Sequence, residues 1–320
     1  MKKLLFALFI LITFLVSQMK QPSIDKHSEN NNESFIEVHH GELVFSCRSA
    51  GLENTGEAVI LLHGFPETSH MWVDLLHQLS SRGYRVIAPN QRGYSPGARP
   101  GDVKEYSIKN IAEDVFALAD AFDFEQFHLV GHDWGSAIGW AVVALQPEKV
   151  LSWTAMSVPH MKAFSYAYKY DKDQKERSRY IGFFKLPFIP ELYFSWNKYS
   201  NLKNIWNKSS PEQKEIYLNV FQQRGAMKAA LNWYRANIGT TVEAEDQIAF
   251  DDVTVPSQLI WGNRDMALGR TGAELTGDYM KGPYRLIELD AGHWLIQESF
   301  PEVSSAIIKH IEKHKEIKNK

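Results

Sequence analysis

A single cysteine, Cys47, in 320 residues excludes an intramolecular disulfide, so stability must come from the apolar core. At 44% hydrophobic residues, a chain of this length can build a large one. There is no Gly-rich phosphate loop, no metal-ligand cluster and no redox motif, which leaves no cofactor and no metal to expect. The net charge of −3 lacks the basic surplus of a nucleic-acid-binding protein. Lysines do gather between Lys309 and Lys320, where they read as a solvated helix face. His310 and His314 in that helix stand at i, i+4, a spacing that can bind metal, but with no third ligand they read as exposed residues.

Long apolar runs are also missing. The longest, Leu4 to Val16, falls short of the ~20 residues of a spanning helix. Preceded by Met1-Lys2-Lys3, it has the layout of a secretory signal peptide. Leu15-Val16-Ser17 is a weak cleavage motif, so an uncleaved anchor stays open beside export to a periplasmic or extracellular location. Residues 1–17 are therefore expected to be a leader or anchor. Residues 18–34, rich in Asn, Glu, Lys and Ser, are expected to form a disordered spacer.

From Phe35 on, strand and helix patterns alternate. Phe35 to Cys47 reads as a hairpin turning at His40-Gly41. Trp72, Leu75, Leu76 and Leu79 mark the buried face of a helix, and apolar strands follow at Tyr84–Pro89, Phe127–Val130 and Val150–Val158. This is α/β text with a mostly parallel central sheet flanked by helices. At Pro159 it gives way to aromatic-rich helical text that lasts to about Phe250. The expected organisation is a core at 35–158 and 251–320, with a helical cap at 159–250 inserted after the sixth strand. A small-molecule cleft is expected between cap and sheet.

The sharpest signal is Gly131-His132-Asp133-Trp134-Gly135, set between an apolar strand and a helix. It resembles the G-x-S-x-G elbow of α/β hydrolases with aspartate in place of serine. A carboxylate is already ionised at neutral pH and needs no base to attack an sp3 carbon, which it converts to an alkyl ester. An ordinary helix cap would not need glycine on both sides. Beyond the next two strands come Asp265, in Gly262-Asn263-Arg264-Asp265, and His293, in Asp290-Ala291-Gly292-His293. The chain order is nucleophile, acid, histidine. Asp265 would orient His293, and His293 would activate the water that hydrolyses the ester. The backbone N–H groups of Trp134 and Phe65 are the expected oxyanion donors. His63 and His132 read as loop-holding residues.

With these motifs in hand, the chain resembles an epoxide hydrolase of the α/β-hydrolase superfamily from about Phe35 to near its C-terminus. The resemblance is carried by HGFPE at His63–Glu67, RGYSPGARP at Arg92–Pro100, GHDWGS at Gly131–Ser136, NWYR at Asn232–Arg235 and AGHW at Ala291–Trp294. It implies two cap tyrosines that bind and protonate the epoxide oxygen. Tyr234 matches the tyrosine of NWYR. Tyr180 heads a segment ending at Pro187 that resembles the other, with Tyr166, Tyr168, Tyr170 and Tyr193 nearby.

The implied partner is a small lipophilic substrate, with no nucleic acid and no membrane contact beyond an N-terminal anchor. Haloalkane dehalogenases share the nucleophile and triad, but a halide must be held by side-chain N–H groups. Trp134 fits that role and Phe65 does not, which leaves Trp196 or Trp206 as a replacement donor. A ligand-binding protein on a dead hydrolase fold is a third reading, weakened by the presence of all three triad residues.

Overall fold

The computed structural model describes residues 23–30, 33–239 and 247–315. The leader expected at 1–17 and the start of the expected spacer lie outside them. A nine-stranded sheet runs through the molecule in the order β1-β2-β3-β5-β4-β6-β7-β8-β9. The strands are β1 (Ser23–Asn30), β2 (Glu33–His40), β3 (Leu43–Ala50), β4 (Ala58–Leu62), β5 (Arg85–Pro89), β6 (Phe127–His132), β7 (Val150–Met156), β8 (Ser257–Gly262) and β9 (Tyr284–Leu289). β1 to β3 form an antiparallel meander, β3 pairs antiparallel with β5, and all pairs from β5 to β9 are parallel. Every residue of β4, β6 and β8 is buried, as expected of central strands covered by helices on both faces.

The meander corrects two expectations. Ser23–Asn30 is not a spacer but an edge strand paired antiparallel with β2, with a register shift between Lys26 and Ser28. Its polar sequence carries no alternation to betray it, because an edge strand is held by a backbone ladder that needs no apolar side chains. This extra strand also shifts the count, so the cap follows the seventh strand and not the sixth.

The core helices are α1 (Val73–Ser80), α2 (Ile108–Ala121) and α3 (Trp134–Leu145). Ser107 caps α2 by accepting the Asn110 N–H. α3 leaves β6 directly and is buried along nearly its whole length, with Gly139 giving room to the Trp153 ring. The cap comprises α4 (Met161–Tyr170), α5 (Lys172–Arg177), α6 (Arg179–Phe184), α7 (Ile189–Ile205), α8 (Pro211–Phe221) and α9 (Ala226–Asn237). α7 is broken at Trp196–Tyr199 by non-helical backbone. α10 (Arg270–Leu275), α11 (Leu295–Glu298) and α12 (Phe300–Lys313) complete the core. His310 lies on the buried face of α12 with Nε2 3.3 Å from the Pro256 carbonyl, which corrects the expectation that it is exposed. Burial lowers its pKa to about 4. No cluster of potential metal ligands occurs among the described residues, and none of their helices is long and apolar enough to cross a membrane.

Candidate active site

The site lies at the carboxyl ends of β4, β6, β8 and β9, where loops leave a parallel sheet. Asp133 occupies the turn between β6 and α3 at φ 53°, ψ −120°, a backbone region that L-residues rarely adopt. The flanking glycines explain how the turn fits. A Cβ on Gly131 would strike the Gly135 carbonyl, and one on Gly135 would strike that of Leu62. Although Asp133 stands at the N-cap position of α3, its side chain makes no capping hydrogen bond. It points instead toward the β4 loop, where the Phe65 N–H donates to Oδ1 at 2.8 Å. Oδ2 faces His293 Nε2 at 3.5 Å. Trp134 is the first residue of α3, placing its backbone N–H at the helix start beside Asp133.

His293 is held from behind. Its Nδ1 lies 2.9 Å from Asp265 Oδ2, and Asp265 Oδ1 accepts the N–H groups of Ala267 (2.8 Å) and Leu268 (3.0 Å). One carboxylate oxygen therefore serves the loop and the other serves the imidazole. Burial by itself would push the His293 pKa down. The Asp265 charge and the hydrogen bonds to Asp133 and Asp265 outweigh it and hold the imidazole well above its usual value. For Asp265, burial opposes ionisation, but the His293 charge and its hydrogen bonds leave the carboxyl below the usual aspartate value.

Across the cavity, Tyr180 and Tyr234 come together from α6 and α9. Their ring centroids are 6.2 Å apart, and both line the same cavity as Asp133 and Trp134. That cavity encloses about 1290 Å3, with Met161, Phe164 and Leu268 among its apolar walls. Burial, then the nearby Asp133 charge, raises the Tyr180 pKa, and burial followed by Tyr180 and Asp133 raises that of Tyr234. Both phenols therefore stay protonated at neutral pH. Of the other cap tyrosines considered, Tyr166, Tyr170 and Tyr193 are exposed, and Tyr168 lines the cavity from a partly exposed position.

The two tryptophans proposed as alternative donors are not in the cavity wall. Trp206 gives its indole N–H to the Pro66 carbonyl at 3.1 Å, and Trp196 is 73% exposed. Phe65 turns its ring into the cap, edge-on to Phe184, Phe194, Phe221 and Tyr234. One residue thus supplies a polar backbone to the carboxylate and an apolar anchor to the cap.

The sequence reading did not find the network behind His293. Glu67, fully buried, accepts from the Tyr217 hydroxyl of α8 and from the Gln297 amide of α11. Its other oxygen lies 3.4 Å from His132 Nδ1, and His132 Nε2 donates to the His293 carbonyl at 2.8 Å. Glu67 thereby ties the cap to the loop that carries the imidazole. The only sequence signal was its place in the HGFPE run. His63 holds its loop as expected, with Nε2 accepting the Gln91 N–H at 3.2 Å.

Residues 57–300 match the family described as alpha/beta hydrolase fold. The chain is 33% identical over 281 residues to the AB hydrolase superfamily protein YfhM of Bacillus subtilis, covering 86% of this chain and 96% of that protein. It is 30% identical over 302 residues to epoxide hydrolase 4 of Mus musculus, covering 91% and 80%. Among solved structures, an epoxide hydrolase from hot-environment metagenomes superposes with a TM-score of 0.74 at 26% identity, covering 90% of this chain and 98% of that one.

Proposed function

From the premise that the chain belongs to the α/β-hydrolase family, we propose that it is an epoxide hydrolase that opens small lipophilic epoxides to vicinal diols through an ester on Asp133. The observation that carries this reading is one cavity lined by Asp133, whose carboxylate faces His293, and by the neighbouring rings of Tyr180 and Tyr234. Relatives named as epoxide hydrolases support it.

In the first half-reaction Oδ2 attacks an epoxide carbon while the C–O bond breaks, and the departing oxygen takes a proton from Tyr180 or Tyr234. Two phenols on one oxygen stabilise the charge that a poor leaving group develops. Oδ1, bonded to the Phe65 N–H, becomes the ester carbonyl oxygen. In the second half-reaction His293 takes a proton from water as the hydroxide attacks Cγ of Asp133. The Phe65 and Trp134 N–H groups receive the oxyanion. Collapse breaks the Cγ–O bond to the substrate, the departing diol oxygen takes the proton of the added hydroxyl and leaves Asp133 as carboxylate, and the proton on His293 returns to the tyrosinate through solvent. Loss of the Asp133 charge on esterification also lowers the hold of imidazolium on its proton, which readies the base when it is needed.

The dehalogenase reading asks for a second side-chain N–H beside Trp134. Phe65 has none, and Trp206 commits its own to Pro66. The test is to expose the His293→Gln protein to styrene oxide and to a bromoalkane and to weigh the peptide containing Asp133. A mass gain equal to the intact epoxide is expected. An adduct from the bromoalkane alone, or none from either, refutes the assignment.

A further inference from the structure

Of the eleven large hydrophobic side chains exposed among the described residues, six lie between Leu186 and Trp196. Phe188 is 74% exposed, Leu192 67% and Trp196 73%, with Ile189 and Tyr193 between them. Ile189, Leu192 and Tyr193 lie on the first turns of α7, Phe188 directly precedes it and Trp196 opens its break, so the exposed apolar side chains follow one another along one short segment. The opposite face is properly packed: Phe194 is buried against Phe65 and Phe184. The element is therefore apolar on both sides, one packed on the core and one left to solvent, and the exposed Lys198 follows directly.

The start of the described chain, at Ser23, lies at the cap end of the sheet. β1 runs antiparallel to β2, β2 to β3 and β3 to the parallel set, so β1 points away from the cap and begins on the cap's side. Ser23 pairs with His39, next to the hairpin whose Val44 bridges Gly97. Two residues on, Arg99 donates to Gln223 of the cap at 2.8 Å. The sequence ahead of Ser23, with its apolar Leu4 to Val16, thus joins the fold at the cap end of the sheet.

We propose that the Leu186–Trp196 face docks onto a phospholipid bilayer, in the headgroup region. Aromatic and aliphatic tips beside a lysine suit that interface, where rings sit at headgroup level and the apolar face sinks roughly 5–10 Å. Docking would bring the cap, and the cavity beneath it, to lipid-dissolved molecules.

Cys47 is buried, so a cysteine introduced in the full-length chain as Trp196→Cys can carry an environment-sensitive fluorophore alone, with Glu302→Cys on α12 as the reference. On vesicles of phosphatidylcholine and phosphatidylglycerol, the label at 196 should shift to the blue and be quenched severalfold by nitroxide lipids, while that at 302 does neither. Leu192→Glu with Trp196→Glu should lower partitioning of the full chain by roughly tenfold without changing its melting temperature. The proposal is overturned if the chain floats with vesicles while position 196 stays in water, because the N-terminal segment then acts alone. It is equally overturned if the chain does not float, or if the label shifts with protein concentration in the absence of lipid, which would mean that a second copy covers the face. None of these readouts depends on epoxide turnover.

Discussion

The core wall of the proposed site takes its groups from the ends of strands, whereas the cap wall takes its two hydroxyls from helices packed over the core. Asp133 follows β6, Asp265 follows β8 and His293 follows β9, all within a sheet whose central strands are fully buried. Tyr180 and Tyr234 sit on α6 and α9, and the cap that carries them is tied to the core by bonds that include Trp206 to Pro66, Trp233 to Arg92, Tyr217 to Glu67 and Gln174 to Ala267. The division matches the two demands of the proposed mechanism. On that reading a nucleophile and its base hold a strained geometry through both steps, which a sheet does well, while the acid closes over substrates that enter and leave. The two walls should therefore fail differently when broken.

Breaking the core wall should have the larger effect. Asp133→Ala removes the attacking atom and should abolish turnover, by about 10^4-fold or more, with no covalent adduct. A residual diol yield above a few per cent of wild type would mean that water attacks the epoxide directly. Because Asp133 has positive φ, a modest change in stability should accompany the substitution, and its thermal unfolding separates that from chemistry.

Breaking the cap wall should slow one half-reaction only. Tyr234→Phe or Tyr180→Phe should reduce the rate of ester formation on the order of 10^2-fold and leave ester breakdown nearly unchanged, as read by rapid quench. Equal slowing of both would place the phenols in cavity shape and not in proton donation.

A pH experiment sharpens the contrast. His293 in the resting protein is held above its usual pKa by Asp265 and Asp133, so it keeps its proton to higher pH than a free imidazole. The base form is needed for ester breakdown, which should rise as pH rises through the imidazole pKa of the ester. Esterification removes the Asp133 charge, so this pKa lies below the resting one. The inflection in kcat, where breakdown limits it, should thus fall at lower pH than the imidazole titration of the free protein followed by NMR. Coincident midpoints would show that Asp133 has no part in holding that proton.

The same division governs what could be read from the sequence. The meeting of Asp133, Asp265 and His293 was legible because a strand-end cluster writes its geometry into short runs: paired glycines at an elbow, an acid or histidine just past an apolar strand. Tyr234 and Tyr180 came only through resemblance, since helical aromatic text does not say which ring turns inward. Phe188 and Trp196 illustrate the ambiguity: both could have lined the cleft, yet both face outward. Glu67 escaped notice for another reason. Its partners Tyr217 and Gln297 lie 150 and 230 residues away, and no local pattern encodes such a meeting. β1 was missed because its polar sequence carries no apolar alternation.

The smallest expected effect tests the joint between the walls. In Trp206→Phe the indole N–H that reaches Pro66 is lost and the ring volume falls slightly. One neutral hydrogen bond contributes about 1 kcal/mol, and the Pro66 carbonyl left behind is buried beneath the cap, so a fall in melting temperature of roughly 2–4 °C is reasonable. Epoxide turnover should stay within about twofold, since Tyr180, Tyr234 and the Phe65 N–H are untouched. The substitution also separates the two family chemistries. If the Trp206 N–H belonged to a halide in the working enzyme, its loss would cut bromide release from a bromoalkane by well over tenfold while the melting temperature barely moved. A loss of stability with retained diol formation keeps Trp206 as a strut between cap and core, and the phenols above Asp133 as the groups that meet the leaving oxygen.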